Sequence, residues 1–113
     1  VPDFFVIAED EVVLAFKLAG AEGRGVSGRE DALDAFRYAT GSGADGLGRP
    51  YPGIGAKVLV LTEGVAGLLE EEAMEWQMGG EYPLVVEIPG PDGRTEGRKS
   101  LVDAIREAVG IRV

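Results

Sequence analysis

Pro83-Leu84-Val85-Val86-Glu87-Ile88, the turn Pro89-Gly90-Pro91-Asp92-Gly93 and the run Ser100-Leu101-Val102-Asp103-Ala104-Ile105-Arg106-Glu107-Ala108-Val109 read as strand, turn and helix in succession. A short apolar run rich in valine and isoleucine, bounded by turn residues, is the pattern of a buried strand. The prolines and glycines that follow hold neither a helix nor a ladder. Ser100, three residues before Asp103, is a capping signature, and Leu101, Ile105, Ala108 and Val109 share one stripe of the helix it opens. Beyond Gly110, the apolar Ile111 and Val113 have no place in the same core. A terminal helix of this kind serves as a docking or swinging element, so residues 98–113 read as helix and tail, and residues 1–97 as the platform that carries them.

Upstream, the same unit recurs. Phe4-Phe5-Val6-Ile7-Ala8 is a continuous apolar run, as in a central parallel strand covered on both faces. Asp10 is placed to cap the next helix, with Glu11 in its electropositive first turn, Val13 and Phe16 on its inner face and Gly20 at its end. Ala21 to Val26 reads as a short edge strand, weakened by Gly23 and Gly25. Ser27 and Glu30 have the spacing of a capping box before a helix that carries Ala32, Leu33 and Phe36 and ends near Thr40.

Gly41 to Gly55 holds six glycines and two prolines in fifteen residues, a composition that excludes helix and strand and predicts a mobile surface loop. Val58-Leu59-Val60-Leu61 is another buried strand, and Thr62 is placed to cap one helix from Glu63 to Gly79-Gly80. Its core stripe is Val65, Leu68, Leu69, Ala73 and Trp76, with Glu70, Glu71 and Glu75 facing water. Strand and helix alternate four times, which the right-handed crossover rule turns into a parallel sheet with helices on both faces. The expected fold is therefore a single α/β domain over residues 1–113, with a four-stranded parallel sheet in the order 2-1-3-4, flavodoxin-like or receiver-like.

The composition narrows the function. A chain of 113 residues is one domain's length, with 45% apolar residues and no apolar run long enough to span a bilayer. No positively charged apolar leader opens it, and a soluble protein is expected. Twenty acids against eleven bases give a net charge of -9, which repels phosphate backbones and anionic lipid, so nucleic acid is not an expected partner. Cysteine and histidine are both missing, which removes disulfides, thiolate sites and the commonest general base and zinc ligand. Catalysis would fall to carboxylates, lysines or hydroxyls.

Four motifs invite chemistry, and each has a plainer explanation. Gly41-Ser42-Gly43-Ala44-Asp45-Gly46 has the letters of the dinucleotide fingerprint but follows a helix instead of a strand. Gly93 to Ser100 offers glycines, bases and a hydroxyl at a helix start, with Arg98 spoiling the spacing of a phosphate loop. Glu9, Asp10 and Glu11 could hold magnesium as in receiver domains, yet Leu61-Thr62 stands where the phosphate-accepting aspartate belongs. Glu70-Glu71-Glu72 points in three directions around a helix, and Trp76 and Met78 read as core or contact surface. No nucleophile is assembled with a base, so no catalytic residue, metal or cofactor is expected.

Four segments, in order and spacing, resemble the small F-subunit family of V-type and archaeal-type rotary ATPases and ATP synthases. Asp10-Glu11-Val12-Val13-Leu14-Ala15-Phe16-Lys17-Leu18-Ala19-Gly20 looks like the family's first helix, and Ala32-Leu33-Asp34-Ala35-Phe36 like its second. Val58-Leu59-Val60-Leu61-Thr62-Glu63-Gly64-Val65-Ala66 is similar to its third strand and helix start. Tyr82-Pro83-Leu84-Val85-Val86-Glu87-Ile88-Pro89-Gly90-Pro91 resembles its most distinctive signature, and Ser100 to Gly110 its terminal helix. The loop Gly41 to Gly55 and the glycine-broken second strand depart from the family pattern.

The resemblance implies a noncatalytic part of the central rotor stalk, without cofactor, bound to the long coiled coil of the stalk's D-subunit beneath the catalytic head. Its place would be cytoplasmic, peripheral to the membrane in the soluble sector, with no direct membrane insertion. It also implies a final helix that extends toward the head or folds back, with Leu101, Ile105, Val109, Ile111 and Val113 as the mobile or docking surface. The rival readings are a degenerate receiver-like signalling module and a small nucleotide-binding protein.

Overall fold

The computed structural model describes residues 3–91. Strands β1 (Phe4–Ala8), β2 (Glu22–Gly25), β3 (Val58–Thr62) and β4 (Leu84–Ile88) form one sheet in the order β2-β1-β3-β4, the expected order. Every pairing is parallel, with Phe5 opposite Glu22 and Leu59, and Leu59 in turn opposite Val85. The helices are α1 (Asp10–Leu18), α2 (Arg29–Thr40), α3 (Glu63–Leu68) and α4 (Glu70–Gly79).

Alternation along the strands sends successive side chains to opposite faces, and the two faces fill separate cores. Phe5, Ile7, Leu59, Leu61 and Val85 pack with Ala32 and Phe36 of α2, Val65 of α3 and Ala73 of α4. Val6, Ala8 and Val60 point the other way and meet Val13 of α1, with Val12, Phe16, Val58 and Ile88 at the margin. Val6, Ile7 and Ala8 are fully buried, as a central strand covered on both faces requires.

The glycines that weaken β2 are what seats it. A Cβ at Gly23 would stand 2.6 Å from the Val6 carbonyl oxygen, and one at Gly25 would meet Asp10 Oδ1 at 1.8 Å. Contact this close with β1 and with the first turn of α1 leaves no room for a side chain. The strand gives up β-propensity for that approach.

Helix ends, one helix and the edge strand depart from expectation. Asp10 is the first helical residue and Glu9 the N-cap, because the extended backbone ends at Glu9 and the helix turns one residue earlier. Ser27 and Glu30 form no capping box: Gly28 takes the cap position, and the Ser27 hydroxyl donates to Asp31 Oδ2 at 3.3 Å. Thr62 does cap α3 in position, but its hydroxyl is spent on Glu9.

The single helix from Glu63 to Gly79 is two helices with a break at Leu69. Leu69 is fully buried with a non-helical ψ of 25°, and Arg29 donates to the carbonyl of Leu68, so the turn is held by a side chain from α2. Leu68 accordingly leaves the core stripe and is 38% exposed. Residues 41–55 hold no helix or strand, as expected, and within them Ala44 and Pro50 form an isolated antiparallel bridge. Asp45 organises that turn, its Oδ1 accepting from the amides of Leu47 at 2.8 Å and Arg49 at 3.0 Å. Last, β4 is not a fully buried strand: it lies at the sheet edge, and of its five residues only Val85 is buried.

Candidate functional site

In a doubly wound sheet the ligand position lies outside the carboxyl ends of the strands, where the chain leaves toward opposite faces. Here β1 leads to α1 on one face and β3 to α3 on the other, so the position lies beyond Ala8 and Thr62. The protein's own carboxylate occupies it. Glu9 Oε1 accepts from the Thr62 hydroxyl at 2.8 Å. The other oxygen, Oε2, lies 2.8 Å from where a Cβ at Gly64 would be, beside the first turn of α3. A helix N-terminus favours negative charge, and Glu9 supplies it internally. An anionic ligand entering this crevice would have to displace Glu9.

The other acids there do not converge. Asp10 turns toward Gly25, and Glu11 is exposed. Among the described residues no group of three metal-ligating side chains comes together. Thr62 stands at the position of a receiver's acceptor residue and is fully buried, with its hydroxyl engaged, so it is closed to a substrate.

Elsewhere the motifs resolve into structure. Gly41 to Gly46 follows α2, so no strand-to-helix turn presents amides to a pyrophosphate. Glu70 and Glu71 are exposed, whereas Glu72 pairs with Arg29 across from α2. The hydrogen bond from Arg29 holds the Glu72 carboxyl below its usual range, and the same bond raises the Arg29 guanidinium. In the 41–55 turn, the amides of Arg49 and Leu47 lower Asp45, and the hydrogen bond to Asp34 raises the Tyr51 phenol. Trp76 Nε1 donates to the Pro83 carbonyl at 2.9 Å, and Gln77 Oε1 accepts from the Val85 amide at 3.0 Å. Side chains of α4 thus blunt an edge strand that would otherwise offer free amides.

What remains open is apolar. Leu84 and Val86, on the face of β4 that looks toward the side of α1, are 42% and 43% exposed, and Phe4 on the same face is 53% exposed. Strands lie about 4.8 Å apart and a helix is about 10 Å across, so a four-stranded sheet takes two helices per face. Among the described residues α2, α3 and α4 cover one face, and α1 alone lies on the other. Val60 of β3 is buried under α1, and among the described residues the strip over β4, Leu84 and Val86, is left bare. Sequence reasoning missed it because Val-rich runs look alike at the centre and at an edge; the order 2-1-3-4, which puts β4 outermost, was the available signal.

The residues expected to dock, Leu101, Ile105, Val109, Ile111 and Val113, lie outside the described residues, as does the Gly93 to Ser100 motif. No helix among the described residues is long and apolar enough to cross a membrane. Fold and site together define a small doubly wound α/β domain whose ligand crevice is closed by its own carboxylate and whose second face, among the described residues, is half covered. Comparison with protein-family models and with curated proteins returned no match.

Proposed function

We propose that this chain is a noncatalytic central-stalk component of a V-type or archaeal-type rotary ATPase or ATP synthase, the counterpart of the F-subunit. It binds the coiled coil of its stalk partner, the D-subunit, and modulates the coupling of ATP turnover to ion transport. It works in the cytoplasmic, membrane-peripheral sector beneath the catalytic head. One observation carries the reading: the exposed apolar side chains of Leu84, Val86 and Phe4 on the face that α1 alone covers among the described residues, a surface that one further helix would bury. The family-like segments from Asp10 to Gly20, Val58 to Ala66 and Tyr82 to Pro91 support it, because they supply α1, β3 with the start of α3, and β4 around that surface.

Two segments would compete for the strip: a helix of the stalk partner, and the terminal segment of this chain whose sequence pattern puts Leu101, Ile105 and Val109 on one stripe. Residues 92–99 span up to about 26 Å when extended, more than the roughly 16 Å length of a five-residue strand. The chain after Pro91 is therefore long enough to return along β4. Occupancy by one helix excludes the other, which makes the terminal segment a regulator.

Truncation after Gly97 tests this in the assembled complex. The shortened chain is expected to fold as a platform and to alter coupling between ATP turnover and ion transport. Unchanged assembly and unchanged coupling would overturn the proposal.

A further inference from the structure

On the opposite side of the sheet from the bare strip, two depressions flank α2. The first, of about 300 Å³, lies between α2, the start of the 41–55 turn and α4, with half-buried Leu33 and Trp76 as its apolar wall and Glu72 and Glu75 beside them. The second, of about 540 Å³, lies between α2 and the turn and includes Glu30. Both are lined by Leu33 and Arg37, which stand between them as a shared wall, so the two adjoin along α2 as one grooved surface.

The charges in this groove are unevenly matched. Glu72 is paired with Arg29, and Asp34 and Asp45 with Arg24 and Arg49. Glu30 and Glu75 make no ion pair among the described residues, and each lines a different depression. Arg37 lines both depressions, lies against Gly43 and makes no ion pair among the described residues, so the unmatched charge is two carboxylates against one guanidinium. An apolar wall between two unmatched carboxylates, on a chain of net charge -9, complements bases set on either side of an apolar side chain. The Trp76 ring adds a face for a cation, a device this chain already uses where the Arg24 guanidinium sits 4.6 Å from the Tyr38 ring centre.

We infer that the α2–α4 groove docks a basic segment of a partner polypeptide, with lysine or arginine flanking an apolar residue. This surface is separate from the strip over β4 and does not depend on the stalk reading.

Trp76 is the only tryptophan, so its emission reports occupancy directly. The test titrates the full chain with a synthetic peptide of alternating lysine and leucine, and with its glutamate and leucine counterpart. The basic peptide is expected to shift Trp76 emission saturably, with binding that weakens as salt rises, and the acidic peptide to leave it unmoved. Glu30→Lys with Glu75→Lys should weaken binding by about tenfold or more, and Arg37→Gln should tighten it. Asp3→Lys with Glu11→Lys makes the same change of net charge away from the groove and should shift the affinity by less than about twofold. Equal weakening by both charge-reversed pairs would reduce the effect to net charge and overturn the inference. So would a bound basic peptide that leaves Trp76 unaffected, or an emission change that tracks self-association of the chain.

Discussion

The two faces of the sheet are built from the same kind of residue and are finished differently. On one, α2, α3 and α4 close over β1, β3 and β4 and bury fifteen described residues together; on the other, α1 buries four. Leu59, Leu61 and Val85 are sealed, while Leu84 and Val86, one step along β4, are each more than 40% exposed. Apolar character alone therefore does not set burial in this fold. Position in the sheet and the helices that cover it do: among the described residues only α1 lies on the second face, and the apolar side chains of edge strand β4 beyond its reach are where a partner gains most by binding.

Substitutions separate the two faces by size of effect. Leu61→Ala removes a fully buried side chain from the closed face and should cost about 2–5 kcal/mol in urea unfolding. Val86→Ala on the open face should cost less than about 1 kcal/mol, and near-equal losses would break the contrast. Gly23→Ala tests the α1 side, because its Cβ would meet the backbone oxygen of Val6 at 2.6 Å. About 1–3 kcal/mol should be lost as β1 and β2 move apart; an unchanged unfolding midpoint would show that this edge yields freely.

A smaller effect sharpens the account of the closed face. Glu72 ties α4 to α2 through Arg29, and its carboxyl titrates below the ordinary value when folded. The stabilisation is thus full above the unfolded carboxyl's pKa, near 4.5, and is lost as pH falls through the lower folded value. Glu72→Gln should flatten the acid limb of stability against pH, read as unfolding midpoints from about pH 6 to pH 3. An unaltered limb would mean that the pair contributes nothing to holding the α3–α4 break against α2.

Strand existence, order and direction were legible because four apolar runs alternate with helical stripes, and parallel crossovers leave few topologies. Helix termini were less legible. Ser27 and Glu30 have the letters of a capping box, but Gly28 takes the cap position and Ser27 bonds Asp31, a choice that depends on where β2 delivers the chain. The break at Leu69 was invisible because it is held by Arg29, 39 residues away from Leu68 in sequence. The closed crevice was half legible: Glu9 and Thr62 stand at strand ends in the sequence, but their 2.8 Å contact exists only once β1 and β3 are neighbours. The open strip required the strand order together with a count of helices on each face.

The most direct measurement compares binding of the proposed partner, a D-subunit coiled coil, to the wild-type chain and to a variant carrying Leu84→Asp and Val86→Asp, followed by titration calorimetry, with circular dichroism as the check on folding. The variant should keep its helix and strand signal and lose affinity for the stalk partner by about a hundredfold or more, because two charges would be buried in the contact. Undiminished affinity in a folded variant would place the partner elsewhere and contradict the role given to the open face.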